Sequence, residues 1–213
     1  MEPEHRHLAT PWAAGLAGVI FAVLMAVAIV LVRVALPQGV EGSDVSIDAG
    51  QRDAVRTALE LLPFAGIAFL WFMGALREQA GRAEDRFVST VFLGSGLLFV
   101  ATLFGAAAAA GTVLAETQQG SPFGRDYAYA LLTTYAMRMA AVFILTTSTI
   151  GRRLGVLPRP LVVLGFLAGL TLLVVGSDVP WSELVFPGWA LLLSLNILWQ
   201  RRRGTGARPA GPA

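Results

Sequence analysis

The chain has 213 residues, 55% of them hydrophobic and 14% charged. An ordinary soluble domain carries about 25% charged residues, so the deficit argues for a membrane protein. Net charge is only +2 and there are no cysteines, which excludes disulfides, thiol catalysis and cysteine-ligated metals. All sixteen basic residues are arginine. With the richness in Ala, Gly and Val, this reads as the base bias of a high-GC bacterium. The arginines do not interleave with aromatics on a polar face, so no nucleic-acid partner is implied.

Six apolar stretches follow in order. A bilayer core about 30 Å thick needs roughly 20 apolar residues of helix. The first stretch runs from Trp12 to Leu36, before Pro37, and Arg33 is its only charge. It is too long for a signal-peptide core and no small-residue cleavage site follows, so it reads as an uncleaved span. Ala49 to Glu60 reads either as a helical extension of the next span, with Asp48 as N-cap, or as a loop. The second span covers Ala58 to Leu76, the third Phe87 to Leu114, and the fourth Tyr127 to Ile150. The fifth covers Leu161 to Gly176. The sixth covers Leu184 to Gln200, with Pro187 and Gly188 in its first turns. The last two are short, which leaves five spans plus a re-entrant segment as the competing arrangement. Residues 204–213 are Gly/Pro-rich and read as a disordered cytoplasmic tail behind a single domain, 1–203.

Orientation follows from the arginines, because cytoplasmic flanks collect them. One alternate set of polar segments holds Arg6, then Arg77, Arg82 and Arg86. It continues with Arg152, Arg153 and Arg159, then Arg201, Arg202, Arg203 and Arg208, eleven in total. The other set holds four, namely Arg33, Arg52, Arg56 and Arg125. Both termini are therefore expected in the cytoplasm. The opposite segments are the more acidic, with Glu41, Asp44, Asp48, Asp53, Glu116, Asp126, Asp178 and Glu183. Trp12, Trp71 and Trp199 fall near the cytoplasmic boundary, and Tyr127 and Trp181 near the outer one.

Small residues mark helix contacts in lipid. Ala14, Gly18, Ala22 and Ala26 form one stripe on the first span. Gly94, Ser95, Gly96, Gly105 and the run Ala106 to Gly111 allow close approach to the third span from several sides. That span is accordingly expected at the centre of the bundle.

Arg138 belongs to neither arginine set. It lies near the middle of the fourth span, where insertion costs about 2.5–3.5 kcal/mol. The same span carries Thr133, Thr134 and Tyr135 before it and Thr146, Thr147, Ser148 and Thr149 after it. Helical side chains lean toward the N-terminus, so Thr134 and Tyr135 lie beside the guanidinium. The face is expected to point into the bundle and to bind a lipid phosphate, a carboxylate or an inorganic anion. A structural hydrogen-bond hub or a snorkelling residue is the competing reading. Glu60 is the candidate counter-ion for Arg138, with Glu116 and Asp126 at the outer boundary as alternatives, and a local i,i+4 pair with Arg56 competes for it.

No other chemistry stands out. The only histidines are His5 and His7, beside Glu2 and Glu4, and they read as solvated rather than metal-binding. There is no intramembrane carboxylate pair, HExxH, GxSxG or phosphate loop. No catalytic residue, metal or cofactor is called for. Arg77, Arg82 and Arg86 are matched by Glu78, Glu84 and Asp85 in the turn between the second and third spans, and read as exposed ion pairs.

Phe64 to Ala110 reads FAGIAFLWFMGALREQAGRAEDRFVSTVFLGSGLLFVATLFGAAAAA. It resembles small multispan proteins of actinobacteria with no assigned function, in which an FLWF.G.LR hairpin and a G..EDRF turn lead into a TVFLGSG.LF helix. Leu157 to Gly169 is similar to a PR..L..LG...G stretch of several bacterial membrane families. The resemblance implies a bacterial inner-membrane location and no mechanism.

The expectation is an all-α bundle of six transmembrane helices with a site at Arg138, Thr134, Tyr135 and Glu60. Its role would be non-enzymatic, as an accessory subunit or a small-solute or lipid-handling protein. Its partners would be the bilayer, a lipid or small anion, and another membrane protein or a second copy. A secondary transporter or channel for a small anionic solute is the alternative, which internal repeats or paired broken helices would favour.

Overall fold

A computed structural model describes residues 10–35, 49–80, 86–115, 122–174, 179 and 181–205. All the regular structure among them is helical: α1 (Thr10–Ala35), α2 (Ala49–Ala80), α3 (Arg86–Ala115), α4 (Pro122–Ala130), a π-helical segment (Leu131–Ala136), α5 (Met137–Arg153), α6 (Arg159–Val174), a 3-10 turn (Ser182–Leu184) and α7 (Val185–Thr205). Five helices among the described residues are long and apolar enough to cross a membrane, and α6 is shorter. At 1.5 Å per residue, its sixteen residues reach about 24 Å.

The helices form a closed ring. Each packs against the next, in the order α1, α2, α3, α5, α6, α7, and α7 packs back on α1. The upper end of the bundle is the one at which α1 and α3 finish and α2, α4 and α7 begin. Outward faces are apolar: Leu16, Ile20, Val23, Val27, Val30 and Val34 make one exposed stripe along α1. Water would disfavour so long a stripe and lipid does not. The helices are consistent with an integral membrane protein.

Phenylalanine fills the centre. Phe69 of α2 lies 5.0 Å from Phe21 (α1), 5.0 Å from Phe99 (α3), 4.9 Å from Phe143 (α5) and 5.8 Å from Phe186 (α7), between ring centroids. All five rings are fully buried. Tilted and edge-on contacts of this kind add about 0.5–1.5 kcal/mol per pair beyond the area they cover.

Ala14, Gly18 and Ala22 are buried as their stripe implies, and Ala26, its fourth member, is half-buried. Gly18 sits so close to Ser194 of α7 and Phe72 of α2 that a methyl group there would collide with both. The third span is not central. It is one member of the ring, with Leu97, Leu98 and Phe104 exposed and open space beside Gly94 and Gly111. Small residues permit close approach but do not compel it, and the bulkier phenylalanines take the middle.

Ala49 to Glu60 is helix, continuous with the second span and through Pro63. The helix α7 likewise continues past Gln200 to Thr205, so the tail expected to be disordered begins in helix. The expectations for His5, His7, Asp48, Glu84, Asp85, Glu116 and residues 206–213 lie outside the described residues.

Candidate functional site

The first charged residue of the apolar stretches proves to be the one drawn into the fold. Arg33 lies in the last turn of α1, and its guanidinium donates to the Glu183 carboxylate in the 3-10 turn ahead of α7. The two side chains keep only 12% and 6% of their surface. The pair ties together residues 150 positions apart, which the antiparallel contact of α1 and α7 brings to the same upper end.

The turn that delivers Glu183 is strained. Trp181, just before it, adopts φ 69°, a left-handed conformation that costs a non-glycine residue on the order of 1–3 kcal/mol. Ser182 N–H donates to Val179 O and Leu184 N–H to Trp181 O, at 3.2 and 3.0 Å. These bonds fold the backbone back and drop Ser182 and Glu183 into the protein, 6% and 4% exposed.

Beneath the pair lies a cavity of about 110 Å³. Its walls include Met25, Ile29 and Val32 of α1, Leu62 of α2, Tyr129 of α4 and Thr133 of the π segment. Glu183 lines it too, and while one carboxylate oxygen takes Arg33, the buried Oε2 has no hydrogen-bond partner among the described residues. At about 30 Å³ per water, the space suits three or four waters or one solute of that size. The phenylalanine cluster starts one turn deeper: Phe21 precedes Met25 by four residues, and Phe186 follows Glu183 by three. The site therefore combines an apolar wall, a neutral ion pair and one buried acceptor, above a closed floor.

The fourth span supplies one wall and is not a regular α-helix. Six of its residues, Leu131–Ala136, are π-helical. Such insertions are infrequent and favour functional sites. One inserted residue turns the flanking segments against each other by about 100°. Thr133 faces the cavity and is buried, donating to Tyr129 O at 2.9 Å. Thr134 is half-buried, and Tyr135 and Arg138 are exposed on the outer surface of the bundle.

The expected inward face at Arg138 is thus corrected. The inward face of α5 is Met137, Ala140, Ala141, Phe143 and Ile144, all at most 2% exposed. Only one face can meet the phenylalanine cluster, and the apolar one does. Glu60 does not reach Arg138 either. Its carboxylate lies 3.4 Å from Arg56 Nε in the i,i+4 pair, with both side chains about 70% exposed. The structure does not bring Arg138, Thr134, Tyr135 and Glu60 together into an internal site.

Arg33, Glu183 and the cavity escaped the sequence reading as a unit. The available signal was Arg33 itself, an arginine inside an apolar stretch on the acidic side, where a counter-ion is demanded. Fold and site are consistent with the class of a helical membrane protein with a small, mostly apolar cavity at one end, bordered by an ion pair. Comparison with known proteins finds no matching family model, no similar curated protein and no similar solved structure.

Proposed function

We propose that this is a six-span protein of the bacterial plasma membrane, both termini cytoplasmic, that binds a small hydrogen-bonding solute in the cavity below Arg33 and Glu183. The carrying observation is Glu183, which lines that cavity and whose buried Oε2 has no hydrogen-bond partner among the described residues. A buried acceptor left unpaired costs about 1–3 kcal/mol, and a solute N–H or O–H relieves it. Eleven arginines against four support placing the cavity end outside. The wording of Phe64 to Ala110 supports an actinobacterial source.

The phenylalanine floor favours binding over conduction. A transporter or channel needs that floor to open, and five buried rings from five helices hold it shut. A second reading, an accessory subunit, is favoured by Arg138 and Tyr135 on the lipid-facing surface.

The lack of cysteine makes the test direct. Single cysteines at Gln38 and Gly204 label from opposite sides of the membrane; labelling from one side overturns the topology. Thr133→Cys reacts with small methanethiosulfonates added outside and is protected by at least one member of a panel of small alcohols, amides and amines. Free reaction with no protection overturns the binding reading. Reaction from the cytoplasmic side, with anion uptake into vesicles, transfers support to the transporter alternative.

A further inference from the structure

We propose that the outer face of α5 around Arg138 docks a transmembrane helix of a different protein, one carrying a carboxylate near mid-membrane. This deepens the accessory-subunit reading and rests on the spanning topology. The candidate span Tyr127–Arg153 has 27 residues, about 40 Å of helix, enough to cross the core. Arg138 is two residues from its middle, about 3 Å from the midplane. It is exposed, and no hydrogen bond or ion pair joins it to any described residue. Tyr135, one turn closer to the upper end on the same face, is 57% exposed.

Three occupants compete for a cation in that place. Lipid headgroups begin about 12 Å away along the helix, taking half of a 30 Å core. Snorkelling spans only part of that distance. A second copy brings no unpaired acid to that depth among the described residues. In the described helices Asp53, Glu78 and Glu183 lie toward the helix ends, and Glu60, nearer the middle of α2, is already held by Arg56 at 3.4 Å. A two-fold contact at this face would set arginine against arginine. A foreign helix with an intramembrane Asp or Glu supplies the missing charge, and the Tyr135 hydroxyl donates a second hydrogen bond to the same carboxylate.

The test uses the full chain in phosphatidylcholine vesicles with a polyleucine transmembrane peptide bearing one central Asp, read by energy transfer. Association is expected about tenfold stronger than for the all-leucine peptide, the size of an interhelical polar contact in lipid. The preference persists in Arg138→Lys and disappears in Arg138→Leu. Equal association of both peptides overturns the proposal. Loss of the preference when phosphatidylglycerol is added also overturns it, by assigning the site to a lipid phosphate. Thr133→Cys labelling reports the cavity on the opposite face, and Gln38→Cys with Gly204→Cys the topology, so a failure here is told apart from a failure of either.

Discussion

Arg33 and Arg138 both lie in apolar helices, yet the protein treats them in opposite ways. Arg33 is folded inside, against Glu183, beside a cavity. Arg138 is turned out to the outer surface of the bundle, with no partner within the described residues. Depth does not explain the difference, since the deeper residue is the exposed one. Neighbours do. The inward side of α1 at Arg33 meets a turn carrying a carboxylate, whereas the inward side of α5 meets phenylalanine. An intramembrane arginine goes where its counter-charge is, and where the chain offers none it is left on the surface.

The largest effect expected follows from that contrast. Arg33→Leu or Glu183→Leu leaves a buried charge unpaired and costs about 3–5 kcal/mol. Arg33→Met combined with Glu183→Leu is close to neutral, because the two desolvated charges vanish together. Arg138→Leu does not destabilise the bundle, and it improves insertion by about 2.5–3.5 kcal/mol. Denaturation in lipid-like micelles measures all four. Equal losses for Arg33→Leu and Arg138→Leu would break the comparison.

The floor under the first arginine gives the next effect. Phe69→Ala removes the ring that touches four other helices and costs about 3–5 kcal/mol by core precedent. The lower figure applies where lipid replaces water as the surroundings. Phe87→Ala, at a ring 74% exposed, changes stability by less than about 0.5 kcal/mol. Thr133→Cys also becomes reachable from the cytoplasmic side in the Phe69→Ala background, if those rings are what seals the cavity.

Much of the fold was legible because a span is a run of some twenty residues, and runs survive local error. The stripe Ala14, Gly18, Ala22 and Ala26 was legible for the same reason, as a repeat, although Ala26 is only half-buried. The π segment was not. Its residues LLTTYA carry no turn or breaker signal, yet Thr133 within it faces the cavity. Polarity along the fourth span also misled, because its hydroxyls bond their own helix. Thr146, Thr147 and Thr149 donate to Val142, Phe143 and Leu145 carbonyls at 2.7–2.8 Å. A threonine satisfied in this way needs no wet interior. The Arg33–Glu183 pair was legible only as two separate oddities, since nothing local links residues 150 apart.

Uncharged polar groups buried in the bundle extend the comparison. Ser148 Oγ and Trp189 Nε1 are both buried without partners among the described residues, and both converge on Gly165 of α6. A methyl group there would collide with Ser148 and lie 2.9 Å from Trp189 Nε1. Gly165→Ala is expected to cost about 1–3 kcal/mol through overpacking. Gly94→Ala, where nothing lies within 4 Å, gains up to about 0.5–1 kcal/mol from helix propensity. The two shifts in melting temperature should therefore have opposite signs.

The smallest effect concerns Glu60, the counter-ion that Arg138 does not have. Its pair with Arg56 is exposed and lies on one helix, so Glu60→Gln costs about 0.3–0.5 kcal/mol at most. Added salt reduces even that, since exposed charges are screened. Glu60→Gln and Arg138→Gln share no partner, and their effects on stability should add within about 0.3–0.5 kcal/mol. Coupling above that limit would mean that Arg138 turns inward and reaches α2 in the bilayer. The contrast between a paired arginine inside and an unpaired one outside would then fail at its second term.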